Sequence, residues 1–202
     1  MGQFLIDPSN VIDYNRSDFD LETFYLFCCV VAGKTATTQA LLLNNFLTSL
    51  DRDAAFHADS PMQRIYYASR KGVLLDKLKE SRLGQYNRLN RMFTQSLALR
   101  LRTCSVEDLE AIHGCGPKTA RMFLMMSRPK QRYAALDTHV LKHLRDNGID
   151  APKATPSAGP TYRRLEEEFL KLADAAGMEV SDYDLMVWKK YSGATEEVLL
   201  PA

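Results

Sequence analysis

The stretch SVEDLEAIHGCGPKTARMFL, Ser105 to Leu124, places two short helices on either side of a glycine turn. Ser105 and Asp108 form a capping-box pattern that begins the first helix. The tripeptide GCG suits a turn too tight for larger side chains, and Pro117 begins the second helix where proline is favoured. The pattern predicts a helix-hairpin-helix.

A helix-hairpin-helix presents its backbone to a ligand. Glycine at both ends of the turn lets N–H groups and the start of the following helix approach a phosphate closely. Such contacts position a protein on DNA without reading the base sequence. We therefore predict double-stranded DNA as a partner, although the same turn also serves as a plain connection between helices. The predicted DNA-binding residues are Gly114, Gly116, Lys118, Thr119, Arg88 and Arg121.

The other periodic segments also repeat at helical spacing, which predicts the all-α class. The segment PKATPSAGP, Pro152 to Pro160, is typical of a loop, and EEE at Glu166 to Glu168 is typical of a solvated helix face. The predicted helices are Asp18 to Ala32, Thr35 to Leu50, Pro61 to Lys71, Leu74 to Ser81, Gln85 to Ala98, Ser105 to His113, Lys118 to Ser127, Thr138 to Asn147, Tyr162 to Ala176 and Ser181 to Tyr191.

The composition is that of an ordinary globular chain, with 46% hydrophobic and 25% charged residues among 202. A net charge of +1 argues against a strongly basic, nonspecific nucleic-acid binder, but basic residues concentrate between Arg82 and Arg132. The cysteines show neither metal-ligand spacing nor a disulfide framework, so we expect no metal and no cofactor. The absence of a secretion signal or a membrane-length apolar run predicts a cytoplasmic protein with no membrane partner.

Two segments resemble a known superfamily. GCGPKTA, residues 114–120, followed by ALDTHVLKHL, residues 135–144, is similar to the helix-hairpin-helix DNA glycosylases. Members of that superfamily with lyase activity place a lysine in the second helix of the hairpin and an aspartate at the start of a later helix, and Lys118 and Asp137 match these positions. Flanking segments extend the resemblance to roughly residues 20–193, with the C-terminal part similar to the compact archaeal 8-oxoguanine glycosylases.

The resemblance implies a helix-hairpin-helix DNA glycosylase-like fold of two helical lobes with a cleft between them. We expect one unit over residues 1–202. Residues 20–50 together with 160–193 form the first predicted lobe, and residues 60–150 form the second, which contains the hairpin at 105–127.

The superfamily mechanism gives both matched residues a role. Such enzymes flip a nucleotide out of the duplex, because a base inside the stack is inaccessible. A lysine with lowered pKa can then form a Schiff base, and an aspartate can stabilise positive charge or take a proton. Simpler roles stay open, because Lys118 could contact only phosphate and Asp137 could be only the N-cap of its helix.

Lys34, in the segment VVAGKTATTQ, departs from the glycosylase pattern, which has amide or hydroxyl side chains at the matching place. A cation at the junction of two helices suits an anionic substrate, although a lysine that neutralises a helix end is the simpler interpretation. The chain in this respect resembles the bacteriophage enzymes of thymidine hypermodification, described as pyrophosphorylase-like and as amino acid:DNA transferases.

This second resemblance implies a substrate already in DNA, 5-(pyrophosphoryloxymethyl)uracil, whose pyrophosphate is displaced by an amine or amino acid. Lys34 would hold the pyrophosphate, Asp137 would orient or deprotonate the amine, and Lys118 would bind the DNA backbone or assist departure. The predicted substrate-pocket residues are Gly33, Lys34, Thr35, Tyr86, Asn87 and His139.

The sequence interpretation thus favours a transferase in the cytoplasm of an infected bacterial host, with Asp137, Lys118 and Lys34 as catalytic residues and an amine as co-substrate. The alternative is a base-excision glycosylase and AP lyase that uses Lys118 and Asp137. A DNA-binding adaptor without chemistry is a third hypothesis, which the presence of Asp137 disfavours.

Overall fold

The computed structural model describes residues 6–193, and all regular structure in that range is helical. No strand occurs there, so the predicted all-α class is confirmed. The helices are α1 Asp18–Val30, α2 Ala36–Arg52, α3 Pro61–Arg70, α4 Leu74–Glu80, α5 Tyr86–Ser96, α6 Val106–Glu110, α7 Pro117–Ser127, α8 Thr138–Asp146, α9 Pro160–Ala175 and α10 Val180–Ser192.

Several helices begin at side-chain caps that the local sequence supplies. Ser17 accepts a hydrogen bond from the backbone N–H of Asp20 at the start of α1. Ser105 and Asp108 form the predicted capping box at the start of α6, with both reciprocal bonds present. Helices α3, α7 and α9 carry proline in their first turn, where its missing N–H costs nothing.

The described residues divide into two compact units. The first comprises residues 6–11 and 15–115. Its central element is α1, which packs against α2, α3 and α5 and is buried continuously from Phe24 to Val30. The rings of Phe46 and Phe93, 6.2 Å apart, join α2 to α5 beside it. Coverage on several sides explains why α1 is apolar nearly all round.

The second unit comprises residues 12–14 and 116–193, and α10 packs there against α7, α8 and α9. Tyr162 of α9 ties the segment before α8 in place, because its hydroxyl donates to the Ala134 carbonyl at 2.8 Å and accepts from the Leu136 N–H at 3.2 Å. His143 of α8 joins Tyr183 of α10 through a 2.8 Å contact between Nε2 and the hydroxyl oxygen.

The composition of these units differs from the lobes expected from sequence. Residues 160–193 were expected beside residues 20–50, whereas they share a compact unit with residues 116–150. Contacts between distant parts of the chain, such as the hydrogen bond from Tyr162 to the Ala134 carbonyl, lie within this unit, and they leave no periodic signal in the sequence. The assignment of residues 1–202 to one unit with a cleft stays a prediction. None of the helices within residues 6–193 is both long and apolar enough to cross a bilayer.

Candidate active site and nucleic-acid interface

Lys118 lies in the first turn of α7, directly after Pro117. Its side chain is half-buried, and Nζ lies 3.2 Å from the Met122 sulfur one turn further along the helix. A thioether is a weak acceptor. Within residues 6–193 no carboxylate lies at ion-pair distance from the Lys118 amine.

Asp137 is the N-cap of α8, and its Oδ1 accepts the N–H groups of His139 at 2.8 Å and Val140 at 2.9 Å. The N-cap role considered from sequence is therefore present. Both bonds go to one oxygen, which leaves Oδ2 outside the cap. His139, a predicted pocket residue, is half-buried in the same turn.

A third ionisable group, Asp184 of α10, was missed in the sequence. Its side chain is 8% exposed, and Oδ1 has no hydrogen-bond partner among the described residues. Burial raises the pKa of the Asp184 carboxyl well above its usual range, the charge of Asp137 raises it further, and Lys118 opposes both effects. The charges of Lys118 and Asp137 therefore both influence the Asp184 carboxyl group within the second unit.

A sequence signal for Asp184 existed. Val180, Tyr183, Asp184 and Val187 recur at the spacing of one helix face, and all four are buried. An aspartate within an otherwise apolar stripe is unusual, because a buried carboxylate is costly without partners. Such a residue in a helix is a candidate for a functional group.

Arg88, predicted to bind DNA, directs its guanidinium into the first unit. Nε and Nη2 donate to the Gly114 carbonyl at 3.2 and 3.0 Å, so the side chain supports the hairpin turn directly. Both terminal nitrogens also donate to the Cys29 carbonyl at the end of α1, and Nη1 donates to Gln85 Oε1 at 2.6 Å. The hydrogen bonds of Arg88 thus serve the turn, and direct DNA contact by this residue stays a prediction.

Two of the predicted DNA-binding side chains are buried within the protein. Arg121 is 9% exposed, and its Nε donates to Glu166 Oε1 at 2.8 Å. Tyr162 covers the guanidinium, with the ring centre 4.6 Å from Cζ. Thr119 is 3% exposed. DNA contact by Arg121 or Thr119 stays a prediction. Glu166 is likewise buried, which corrects its assignment to a solvated face.

Lys34 lies between α1 and α2, and its Nζ donates to the carbonyl of Leu83 before α5. The two loops meet closely, since a Cβ on Gly84 would lie 3.1 Å from Nζ. Burial, and next the charge of Arg88, lower the pKa of Lys34. In the part of the chain that the structure describes, neither Lys34 nor Arg88 has a carboxylate ion-pair partner.

The other predicted pocket residues of the first unit lie beside these two loops in the chain. Gly33 precedes Lys34 in a left-handed turn with φ of +69°. Thr35 is the N-cap residue of α2, but its side chain makes no capping hydrogen bond. Tyr86 begins α5, and Asn87 follows it with an exposed side chain. Whether they contact a substrate stays a prediction.

Comparison with solved structures identifies this architecture. The crystal structure of Methanocaldococcus jannaschii 8-oxoguanine glycosylase/lyase, in complex with a 15mer DNA containing 8-oxoguanine, matches with a TM-score of 0.64. The match covers 89% of this chain and 84% of the archaeal chain at 20% sequence identity. The chain has a DNA glycosylase fold. At this identity the likeness establishes the fold alone. No protein-family model and no curated protein matches the sequence.

In this glycosylase fold, we predict that Gly114→Ala is more harmful than Gly72→Ala. Both glycines have left-handed φ values, +83° and +74°, so both substitutions cost roughly 1 kcal/mol of backbone strain. A Cβ at Gly114 would also lie 2.8 Å from Arg88 Cγ, whereas nothing lies within 4 Å at Gly72. Arg88 cannot move away without losing its hydrogen bonds to two carbonyls.

We expect Gly114→Ala to lower the free energy of unfolding by about 1–3 kcal/mol more than Gly72→Ala. DNA affinity should also fall only in the Gly114 variant, because the turn moves with the displaced side chain. Chemical denaturation and fluorescence anisotropy with a labelled duplex measure the two effects. Equal losses in both variants would show that Arg88 does not hold the turn.

Proposed function

We propose that this protein is a DNA glycosylase with lyase activity, in which Lys118 forms a Schiff base with the sugar of a damaged nucleotide. The observation that carries this proposal is the environment of the Lys118 amine. The amine has no ion-pair partner among the described residues, and its charge and that of Asp137 both influence the Asp184 carboxyl group. The DNA glycosylase fold supports it, and so does the helix-hairpin-helix, whose turn is suited to phosphate.

The reaction follows from these groups. Flipping exposes C1′ of the damaged nucleotide, and the Lys118 amine attacks that carbon while the bond to the base breaks. The base leaves with one proton of the amine. The bond between C1′ and O4′ then breaks, the second amine proton goes to O4′, and the sugar ring opens to give the imine between Nζ and C1′. Asp137 carries the negative charge that favours the positive charge developing on the sugar.

The experiment that tests this function uses duplexes containing 8-oxoguanine, the base in the archaeal complex, together with undamaged duplexes. Sodium borohydride reduces the imine to a stable amine, so a covalent protein–DNA adduct should form only with the damaged duplex. Mass spectrometry of the digested adduct should place the linkage on Lys118. Base release without any adduct would contradict the lyase chemistry, and an adduct on another lysine would contradict the assignment.

Asp137→Asn should reduce the rate of base release by on the order of 10²- to 10⁴-fold. Asparagine is itself a good N-cap, so it can keep the hydrogen bonds to the start of α8 while the negative charge is lost. Single-turnover rates and melting temperatures of both proteins measure the two effects. If the variant keeps its activity, or loses it only together with its stability, Asp137 is a cap and not a catalytic residue.

A second candidate function is the pyrophosphate-displacing transferase, favoured by the two cations of the first unit. Lys34 and Arg88 repel each other, and neither has a carboxylate ion-pair partner within residues 6–193. An anion at this place would relieve that repulsion. In this hypothesis the substrate is DNA containing 5-(pyrophosphoryloxymethyl)uracil, the amine is a co-substrate, and the glycosidic bond survives.

Lys34→Met separates the two functions, because it keeps the apolar stem and removes the charge. For the transferase we expect transfer to fall by about 10- to 100-fold, since a charge-assisted contact contributes about 1.5–3 kcal/mol. For the glycosylase we expect adduct formation through Lys118 to persist. Nucleoside mass spectrometry after incubation with both duplexes and mixed amino acids measures both outcomes, with the exposed Lys153→Met as control. An aminated thymidine would support the second candidate, and an abasic site the first.

A further inference from the structure

Two neighbouring tyrosines of α3, Tyr66 and Tyr67, hold their rings in solvent. They are 46% and 41% exposed, and no other phenylalanine, tyrosine or tryptophan within residues 6–193 is classed as exposed. Their ring centres lie 5.6 Å apart, with the ring planes inclined at 59°. The two rings thus form one aromatic surface, which offers its π faces to a ligand.

The surface around these rings is basic. Neither α3, with the sequence PMQRIYYASR, nor α5, with the sequence YNRLNRMFTQS, contains an acidic residue. Arg70 of α3 and Arg91 of α5 are exposed, and neither forms an ion pair within residues 6–193. Arg70 follows Tyr66 by one helical turn and therefore lies on the same side of α3. Aromatic rings and unneutralised guanidinium groups occur here side by side.

Helices α3 and α5 pack against each other, so these side chains belong to one surface. The hydroxyl oxygens of Ser69 on α3 and Thr94 on α5 lie 3.4 Å apart. Ser69 directly precedes Arg70, and Thr94 follows Arg91 by one turn. We define the α3–α5 face by its four exposed side chains, Tyr66, Tyr67, Arg70 and Arg91.

Helix α5 also supports the hairpin turn, which connects this surface to DNA. Gln95 Oε1 accepts the N–H of His113 at 2.7 Å, and Arg88 Nη2 donates to the Gly114 carbonyl at 3.0 Å. Arg91 precedes Gln95 by one turn, so it lies between the contact with α3 and the contact with the turn. The α3–α5 face therefore borders the turn that is suited to DNA phosphate.

We propose that the α3–α5 face binds single-stranded DNA, with unpaired bases stacked on Tyr66 and Tyr67 and phosphates held by Arg70 and Arg91. A strand with a negative charge on each phosphate complements the two guanidinium groups, and every base has a π face that stacks on an aromatic ring. In a duplex these faces are stacked on one another, so only an unpaired strand offers them. This binding requires no base release and no Schiff base, so it goes beyond the proposed function and does not depend on it.

The first test measures the affinity of the full chain for a labelled oligothymidylate of about 20 nucleotides by fluorescence anisotropy. The double variant Tyr66→Ser with Tyr67→Ser should bind it about 10- to 100-fold more weakly, because both stacking rings are lost. Tyr66→Phe with Tyr67→Phe keeps the rings and should stay within about 2-fold of the wild type. The control is Leu41→Ser, which removes a 54% exposed apolar side chain from α2.

The aromatic contribution is contradicted if the serine variant binds like the wild type, or if the phenylalanine variant loses as much affinity as the serine variant. A blunt duplex should bind the wild type and both variants within about 2-fold, because its bases are already stacked. An equal loss for the duplex would assign the tyrosines to duplex binding and overturn the proposal. Since all these positions are exposed, the melting temperatures should agree within about 2 °C.

The second test measures how the affinity for the same oligothymidylate depends on salt. Each phosphate that a cation neutralises contributes about 0.7 to the slope of log K against log salt for a single strand. Arg70→Gln and Arg91→Gln should each reduce the slope by about this amount. Lys79→Gln is the control, since Lys79 is exposed and already pairs with Asp76 at 3.3 Å. Unchanged slopes in both arginine variants contradict the phosphate contacts.

The proposal is overturned outright if the wild type does not bind the oligothymidylate, or if it binds an oligouridylate more tightly, which would assign the face to RNA. The borohydride assay with damaged duplex reports on the proposed function separately. An adduct on Lys118 without single-strand binding supports the lyase and overturns this inference. Single-strand binding that depends on the two rings, without any adduct, supports this inference and contradicts the lyase.

Discussion

Lys118→Gln should abolish the borohydride-trapped adduct, a loss of at least about 10³-fold, because the variant has no amine to form the imine. Lys118→Arg should lose the adduct equally, since the arginine side chain stays protonated and is not a nucleophile. The two variants differ in charge, however. Arginine can still bind a phosphate at the start of α7, so its DNA affinity should stay close to that of the wild type.

This pair of variants separates the two roles that the sequence left open for Lys118. Adduct yield is measured by gel shift after reduction, and affinity by anisotropy at several salt concentrations. If Lys118 only contacted phosphate, Lys118→Arg would keep full activity and Lys118→Gln would lose affinity and activity together. That result would contradict the proposed lyase.

Glu166→Ala should produce the largest loss of stability in the second unit. Glu166 Oε1 accepts from Arg121 Nε at 2.8 Å and from the Ala134 N–H at 2.9 Å. The two charged side chains are only 11% and 12% exposed. Removal of the acid takes away the carboxylate that pairs with a buried guanidinium, which costs about 3–5 kcal/mol. For a chain of this size that corresponds to a fall of roughly 6–20 °C in melting temperature.

The matched control is Glu167→Ala, because Glu167 is the next residue of α9 and is exposed. We expect its melting temperature to change by less than about 2 °C. The double variant Glu166→Leu with Arg121→Met should recover much of the loss, since apolar residues can replace a buried ion pair. Scanning calorimetry measures all three proteins. A small effect of Glu166→Ala would show that the ion pair is open to solvent and would favour the predicted DNA contact of Arg121.

The sequence alone determined the helical class, the hairpin and the order of Lys118 and Asp137 along the chain. These features depend on residues a few positions apart, such as the reciprocal bonds of Ser105 and Asp108 or the cap that Asp137 places on α8. Interactions of this range are encoded by spacing, so periodicity and capping patterns predict them.

Only the tertiary structure decided which charged side chains are buried and which groups meet. Arg121 and Glu166 are 45 residues apart in sequence, and Arg88 and Cys29 are 59 apart. A basic residue in a basic region is equally compatible with DNA contact and with an internal ion pair until its partner is known. Asp184 shows the same dependence. The burial that raises the pKa of its carboxyl comes from the packing of α10 against α7, α8 and α9, and no local pattern contains that packing.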